Sequence, residues 1–455
     1  MVKSGDRKIF GLVLAAFALI ELAVVYAAWN LPLVWDSSVY LAMGKNMFSL
    51  GRFGFWEVYR PPVMPIILGT GWFFGLEARA MRLVSLLISC LAVSALYLVV
   101  ERLEGSRAAL YSSLSLAGSF IFLRFTVDPL TGIAASGLIL LSLYFLETDR
   151  MLVSGSLAGL AFLTRFPAAL VCLASALYIL QSEGYDLRSA SRKILAYGGG
   201  FSVFLVMYLA ASQVFFGSFF EPFATSLRVT SAATERYLFG LYFLWSAIES
   251  SPMYLLALPG LYVFSKVRSS TQKLFFIPLV IFYVFFTAFP HKVGRYVLLF
   301  LPLMAYFAGI GMKALENRAP IDPGKVRAAL VGVGLIVMMA NGVGVFGLND
   351  YRSQERAEFY SYVSELNGTV ASNDPRVNAY GDFIYEPVPP AKLDSVWEKR
   401  SEYDYVVINS CQWYCSNVGP GCRSDIREFE SRLSNLTRGF ESNADQCSYR
   451  VYSQR

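Results

Sequence analysis

Long apolar runs alternate along this chain with short, mostly basic breaks. The runs cover residues 9–29, 80–100, 108–123, 129–146, 152–164, 167–181, 194–216, 250–265, 274–289, 296–312 and 328–348. About twenty apolar residues in helical form cross a hydrocarbon core, so the pattern predicts an α-helical polytopic membrane protein with about eleven transmembrane helices. The first run, Ile9 to Trp29, follows the basic stretch MVKSGDRKIF and exceeds the apolar core of a signal peptide. It reads as a retained helix with the N-terminus in the cytoplasm. An odd number of spans then leaves the C-terminus extracytoplasmic. Under that arrangement Arg102, Arg107, Arg188, Arg192, Lys193, Lys266, Arg268, Lys273, Lys313, Arg318, Lys325 and Arg327 lie in cytoplasmic loops, as the positive-inside rule requires.

Two places break the pattern. PPVMPIILGTGWFFG (61–75) is apolar but short and rich in Pro and Gly, which predicts an interfacial or re-entrant helix in the first outer loop. Residues 152–181 are interrupted at Arg165-Phe166-Pro167, which predicts a hairpin of two short helices with its tip outside. From about residue 350 the periodicity becomes that of a soluble domain. RSQERAEFYSYVSEL and DIREFESRLSNL read as helices and YDYVVINS as a buried strand. The expected organisation is a transmembrane domain over 1–349 and a small extracytoplasmic α/β domain over 350–455. Asn367-Gly-Thr369 and Asn435-Leu-Thr437 are glycosylation sequons, a pattern that also arises by chance.

Composition agrees: 55% of residues are hydrophobic and 16% charged, against about 25% charged in soluble chains. The net charge of +6 comes from scattered Lys and Arg that form no run, which excludes a nucleic-acid-binding reading. Cys90 and Cys172 sit in apolar runs and read as packing residues. Cys411, Cys415, Cys422 and Cys447 cluster in the C-terminal domain, where export favours two disulfides with three possible connectivities. A zinc site is the alternative, although the spacing matches no common finger.

Apart from Glu21, the runs carry no ionisable group near their middles. The unexplained polar residues lie at the outer ends: Asp36, Tyr40, Lys45, Tyr59, Arg60, Arg82, Arg124, Asp128, Arg165, Arg228, Arg236, His291, Lys292 and Arg295. A transporter places such groups at the bilayer midplane on broken helices. Here one carboxylate can take a proton from an attacking hydroxyl, and cations can bind a lipid-linked phosphate and stabilise its charge as it leaves. Each residue also has a plainer reading. Asp36 precedes a predicted helix (Ser37 to Leu50) and can equally be its N-cap, and Asp128 precedes Pro129 at another helix entrance. Lys292 and Arg295 can be span-end anchors.

These same positions resemble the GT-C superfamily of polytopic glycosyltransferases, in particular the branch holding protein O-mannosyltransferases and lipid A aminoarabinose transferases. The family's first outer loop has an acid, a following Tyr, a Gly turn, a basic-Pro-Pro step, Phe-Gly and Arg-Leu. Here these read Asp36, Tyr40, Gly51, Tyr59-Arg60-Pro61-Pro62, Phe74-Gly75 and Arg82-Leu83. TVDPLTG (126–132), GSLAGLAFLTRFPAAL (155–170) and PHKVGRYVLLFLPLM (290–304) resemble three further family elements in order. The resemblance covers residues 1–310 and implies a GT-C fold. It implies inverting transfer of a hexose, mannose by family frequency, from a dolichyl- or polyprenyl-phosphate donor to an acceptor hydroxyl on a protein, glycolipid or glycan. Asp36 matches the catalytic base and Asp128 a second acidic position. Tyr40, Tyr59, Arg60, Arg82, Arg165, His291, Lys292 and Arg295 fall at substrate-binding positions. Many relatives carry two adjacent acids where this chain has Asp36-Ser37. No metal or other cofactor is expected, and a lipid-linked-sugar flippase is the alternative from another class.

Overall fold

The computed structural model describes residues 4–232, 241–267, 269–289, 292–348, 354–413, 415, 421–444 and 446–453. His291, Arg236 and the expected domain boundary at 349–350 lie outside the described residues. Helices α1 (Ser4–Ala27), α2 (Trp35–Phe48), α3 (Val63–Phe73), α4 (Met81–Glu104), α5 (Ser106–Ala117) and α6 (Phe120–Thr126) come first. They are followed by α7 (Thr131–Glu147), α8 (Met151–Thr164), α9 (Leu170–Ser182), α10 (Leu187–Phe216), α11 (Glu221–Ala232) and α12 (Tyr242–Ser250). Helices α13 (Ala257–Val267), α14 (Ser270–Ala288), α15 (Leu301–Arg318) and α16 (Pro323–Leu348) complete the apolar part of the chain.

Every predicted apolar run lies on a helical segment, and the chain is a multi-pass membrane protein. Among the described residues, five helices are by length and composition long and apolar enough to span, or six if the bent pair α5–α6 counts as one, so the count of eleven spans is not confirmed. The difference is one of length: at about 1.5 Å per residue a span needs about twenty residues, and α7, α8, α9 and α13 belong to shorter apolar helices of 10–17 residues.

Contacts divide the chain into two compact units. One comprises Met1–Tyr26, Val58–Val63 and Leu83–Gly347; the other comprises Ala27–Glu57, Met64–Arg82 and Leu348–Arg455.

In the first unit, helices approach through small residues, as packing in lipid favours. A Cβ on Gly155 of α8 would lie 1.8 Å from the Tyr197 carbonyl of α10, and one on Gly200 of α10 would lie 2.2 Å from the Leu152 carbonyl of α8. Gly260 of α13 and Gly311 of α15 face each other's helix in the same reciprocal way. The 65° bend between α5 and α6 frees backbone groups that lipid cannot satisfy. Side chains take them up: the Ile121 N–H donates to Ser250 Oγ, and Asn341 Nδ2 donates to the Gly118 carbonyl.

The second unit joins the first-loop helices α2 and α3 to the C-terminal sheet. Helices α17 (Gln354–Ser364), α18 (Leu393–Glu398) and α19 (Cys422–Leu433) flank strands β1 (Thr369–Ser372), β2 (Ile384–Pro387), β3 (Tyr405–Asn409), β4 (Thr437–Ala444) and β5 (Cys447–Ser453). The sheet order is β2-β1-β3-β5-β4, with β1 parallel to β2 and β3, and β5 antiparallel to β3 and β4. Alternation along β3 sends Val406 and Ile408 to a core shared with Ile426, Phe429 and Leu433 of α19. Val407 joins Phe359, Tyr360 and Val363 of α17 in the other core. Strand β3 is therefore buried on both faces, as its unbroken apolar run requires. Disulfides join Cys411 to Cys447 and Cys415 to Cys422, leaving no thiolate of the four for zinc.

Candidate active site

The residues singled out in the sequence fall into two groups, one in each unit. In the second unit, α2 begins at Trp35 and its N-cap is Val34, which makes no side-chain cap. Asp36 therefore does not cap the helix. It lies half-buried in the first turn, where the helix dipole favours a carboxylate. Tyr40 is buried one turn further on. Arg82 is fully buried, and its Nη2 donates to the carbonyls of Leu31 and Pro32 at 3.0 and 3.2 Å. Those bonds order the chain just ahead of α2. Lys45, near the end of α2, is buried and pairs with Asp382 at 2.8 Å. Burial pushes the Lys45 ammonium down, and the Asp382 charge opposes the shift.

A second set of charges in this unit has no counterpart among the sequence candidates. Asp374 is fully buried and accepts from Arg376 through both oxygens, Nε to Oδ1 at 2.8 Å and Nη2 to Oδ2 at 2.7 Å. Tyr360 Oη and Asn409 Nδ2 each donate to Asp374 Oδ2 at 2.8 Å. Burial alone would raise the Asp374 carboxyl, but the Arg376 charge and these hydrogen bonds outweigh it and hold the group below its ordinary value. The Arg376 guanidinium also lies 5.5 Å from the Trp35 ring centre. An Asp and an Arg two apart in a loop look like any solvated pair in sequence, so nothing there marked them.

In the first unit, Asp128 lies ahead of α7, whose N-cap is Leu130, so it too is not a cap. It is buried, its carbonyl accepts from Ser85 Oγ at 3.1 Å, and its Oδ2 is 3.7 Å from Arg124 Nη1 at the end of α6. Helix α8 stops at Thr164 because Pro167 has no N–H to continue the ladder. Arg165 is the resulting C-cap. Its Nη1 donates to Thr131 Oγ1 at 3.3 Å, and its guanidinium lies 5.1 Å from the Tyr296 ring centre. Three segments far apart in sequence thus meet at Arg165. Arg60 is buried against the Tyr59 ring, 5.3 Å from its centre. Arg295 lies half-buried beside Tyr296 in the 3-10 turn Gly294–Leu299.

Lys292 is neither at the surface nor snorkelling. It is buried, and its ammonium donates to the carbonyls of Phe286, Thr287 and Phe289 at the end of α14. This satisfies carbonyls that a helix end leaves open.

Residues 59–212 match the family described as dolichyl-phosphate-mannose-protein mannosyltransferase. ArnT from Cupriavidus metallidurans, solved bound to undecaprenyl phosphate, is similar in structure with a TM-score of 0.72 and 14% identity; the match covers 96% of this chain and 97% of that one. An apo oligosaccharyltransferase from Archaeoglobus fulgidus has a TM-score of 0.59 at 12% identity, over 88% of this chain and 69% of that one. The arabinofuranosyltransferase AftD from Mycobacteria has a TM-score of 0.54 at 12% identity, over 97% of this chain and 39% of that one. No curated protein matches the chain by sequence.

Proposed function

We propose that this chain, a membrane protein of the GT-C fold, is a glycosyltransferase that moves a sugar from a polyprenyl-phosphate carrier to an acceptor hydroxyl. The acceptor oxygen attacks the anomeric carbon, Asp36 takes its proton, and the bond from that carbon to the phosphate oxygen breaks with inversion. The electron pair leaves with the lipid phosphate, whose charge Arg60, Arg165 and Arg295 stabilise. Asp128, paired with Arg124, is assigned to the same chemistry as a second acid. Mannose is the proposed sugar and the extracytoplasmic face the proposed side of reaction. The domain over 350–455 is assigned to hold the acceptor.

The observation that carries this reading is the meeting of Arg165, Thr131 and Tyr296 from separate segments, next in sequence to the Arg124–Asp128 pair. A hairpin tip needs no cation for stability, and the planar fork of guanidinium donors matches phosphate geometry. Lys292, with its ammonium bonded to carbonyls at the end of α14, is assigned to holding the 292–304 segment in place rather than to direct phosphate contact.

Asp36→Asn in purified full-length protein, assayed with synthetic polyprenyl-phosphate mannose and other hexose donors, tests the base. Loss of general-base catalysis lowers turnover about 10²–10⁴-fold. Loss of a helix-dipole contact alone costs about 0.3–1 kcal/mol of stability, too little to explain such a drop. Near-wild-type turnover would sink the assignment. Arg165→Ala should lower donor turnover about 10²–10³-fold. Movement of donor across sealed vesicles without any transfer would replace the enzyme reading with that of a flippase.

A further inference from the structure

We infer that residues 374–382, the strap between β1 and β2, position Asp36 by gripping α2 at both ends, with Arg376 as the principal positioning residue. The inference rests on the reading of Asp36 as the general base.

The contacts are specific. At the start of α2, Arg376 lies over the Trp35 ring, one residue before Asp36, and Tyr380 Oη accepts from the Leu33 N–H, three residues before it. At its other end, Lys45 Nζ donates to the Gly381 carbonyl at 3.1 Å and to Asp382 Oδ1 at 2.8 Å. Trp72 Nε1 donates to that same Asp382 oxygen at 3.2 Å. A helix held only in its middle can still slide and rotate; one held at both ends has neither freedom.

The strap is itself rigid. The Asp374 N–H donates to Ser372 Oγ, and its carboxylate accepts from the Arg376 N–H as well as from the Arg376 side chain. The Tyr360 and Tyr380 rings pack with their centres 4.7 Å apart at a 31° tilt. Burying such an ion pair is a poor way to gain stability, since apolar residues of like volume often do as well. What it does supply is a fixed direction: a bidentate guanidinium has one orientation, and that orientation holds it 5.5 Å from the Trp35 ring centre. Proton abstraction demands such precision, because an error of about 1 Å in a catalytic group can cost about 10²-fold in rate.

The test uses the full-length protein and a synthetic polyprenyl-phosphate sugar, with kcat and KM measured separately. Trp35→Leu and Arg376→Gln should each lower kcat about 10- to 100-fold with KM for the donor unchanged, and Tyr380→Phe should lower kcat in the same way to a smaller extent. Trp35→Phe, which keeps a ring under the guanidinium, should restore kcat relative to Trp35→Leu. The double variant Trp35→Leu/Arg376→Gln should be no worse than the poorer single one, because both break the same link. Should Arg376→Gln not fold, Trp35→Leu, Trp35→Phe and Tyr380→Phe carry the test alone. The inference is overturned if folded variants keep wild-type kcat, if only KM changes, or if the two losses multiply. An active Asp36→Asn defeats the functional reading itself. An inactive Asp36→Asn beside fully active strap variants defeats only this inference.

Discussion

At Asp374 the balance between burial and pairing is at its sharpest. Desolvation opposes the charge, yet Arg376, Asn409 and Tyr360 hold the carboxyl below its ordinary value of 3.8. A carboxyl with a depressed folded-state pKa stabilises the fold fully above its unfolded pKa and loses that contribution as pH falls through the folded one. Asp374→Asn should therefore destabilise the protein by about 3–5 kcal/mol at neutral pH, since it leaves Arg376 buried and unmatched. The gap between variant and wild type should close as pH drops below about 3.8, which thermal unfolding across a pH series measures. Ser37 shows the opposite restraint. It is fully buried and its hydroxyl makes no hydrogen bond among the described residues. A carboxylate at this position would need a partner for its charge, where the Ser37 hydroxyl has none among the described residues.

At the scale of elements, α2 is set by how closely α3 can approach. A Cβ on Gly44 would meet the Pro65 carbonyl at 2.5 Å and the Gly69 nitrogen at 2.6 Å, and one on Gly69 would meet the Gly44 carbonyl at 2.7 Å. Gly44→Ala gains about 1 kcal/mol in helix propensity, but backbone lies on the other side and cannot yield as a flexible side chain would. Overpacking costs about 1–3 kcal/mol, so the net effect should be destabilising, and Gly44→Leu more so, in thermal unfolding in detergent. Because α2 carries Asp36, a drop in kcat should accompany the drop in stability. The disulfides give a second contrast. Cys411–Cys447 closes a separation of 36 residues and Cys415–Cys422 one of 7. Chain-entropy arguments assign these about 4 and about 2 kcal/mol. Replacing the first pair by Ala should lower the unfolding temperature more than replacing the second.

On the scale of the whole molecule, the second unit is discontinuous, built from Ala27–Glu57, Met64–Arg82 and Leu348–Arg455. A fragment of residues 350–455 alone would lack the partners of Arg376 and Asp382 on α2 and α3 and that of Tyr380 just ahead of α2. It should show faster amide exchange over 374–382 than the intact protein; equal protection would mean that the strap needs no first loop. Much of this molecule was legible in the chain's own order. Apolar runs set the helices, because a backbone in lipid must bond within itself, and β3 and α19 followed from the periodicity of YDYVVINS and DIREFESRLSNL. The positions of Asp36, Asp128 and Arg165 were marked too, since charges at helix ends in so apolar a chain stand out. Local pattern could not say whether Asp36 and Asp128 were caps, because one or two residues of helix boundary decide that. Nor could it show that Lys292 is consumed by α14, or that Arg376, paired with Asp374, reaches Trp35. Those facts depend on which distant segments meet: hydrophobic periodicity fixes what a segment is, while close packing of remote side chains fixes what it touches.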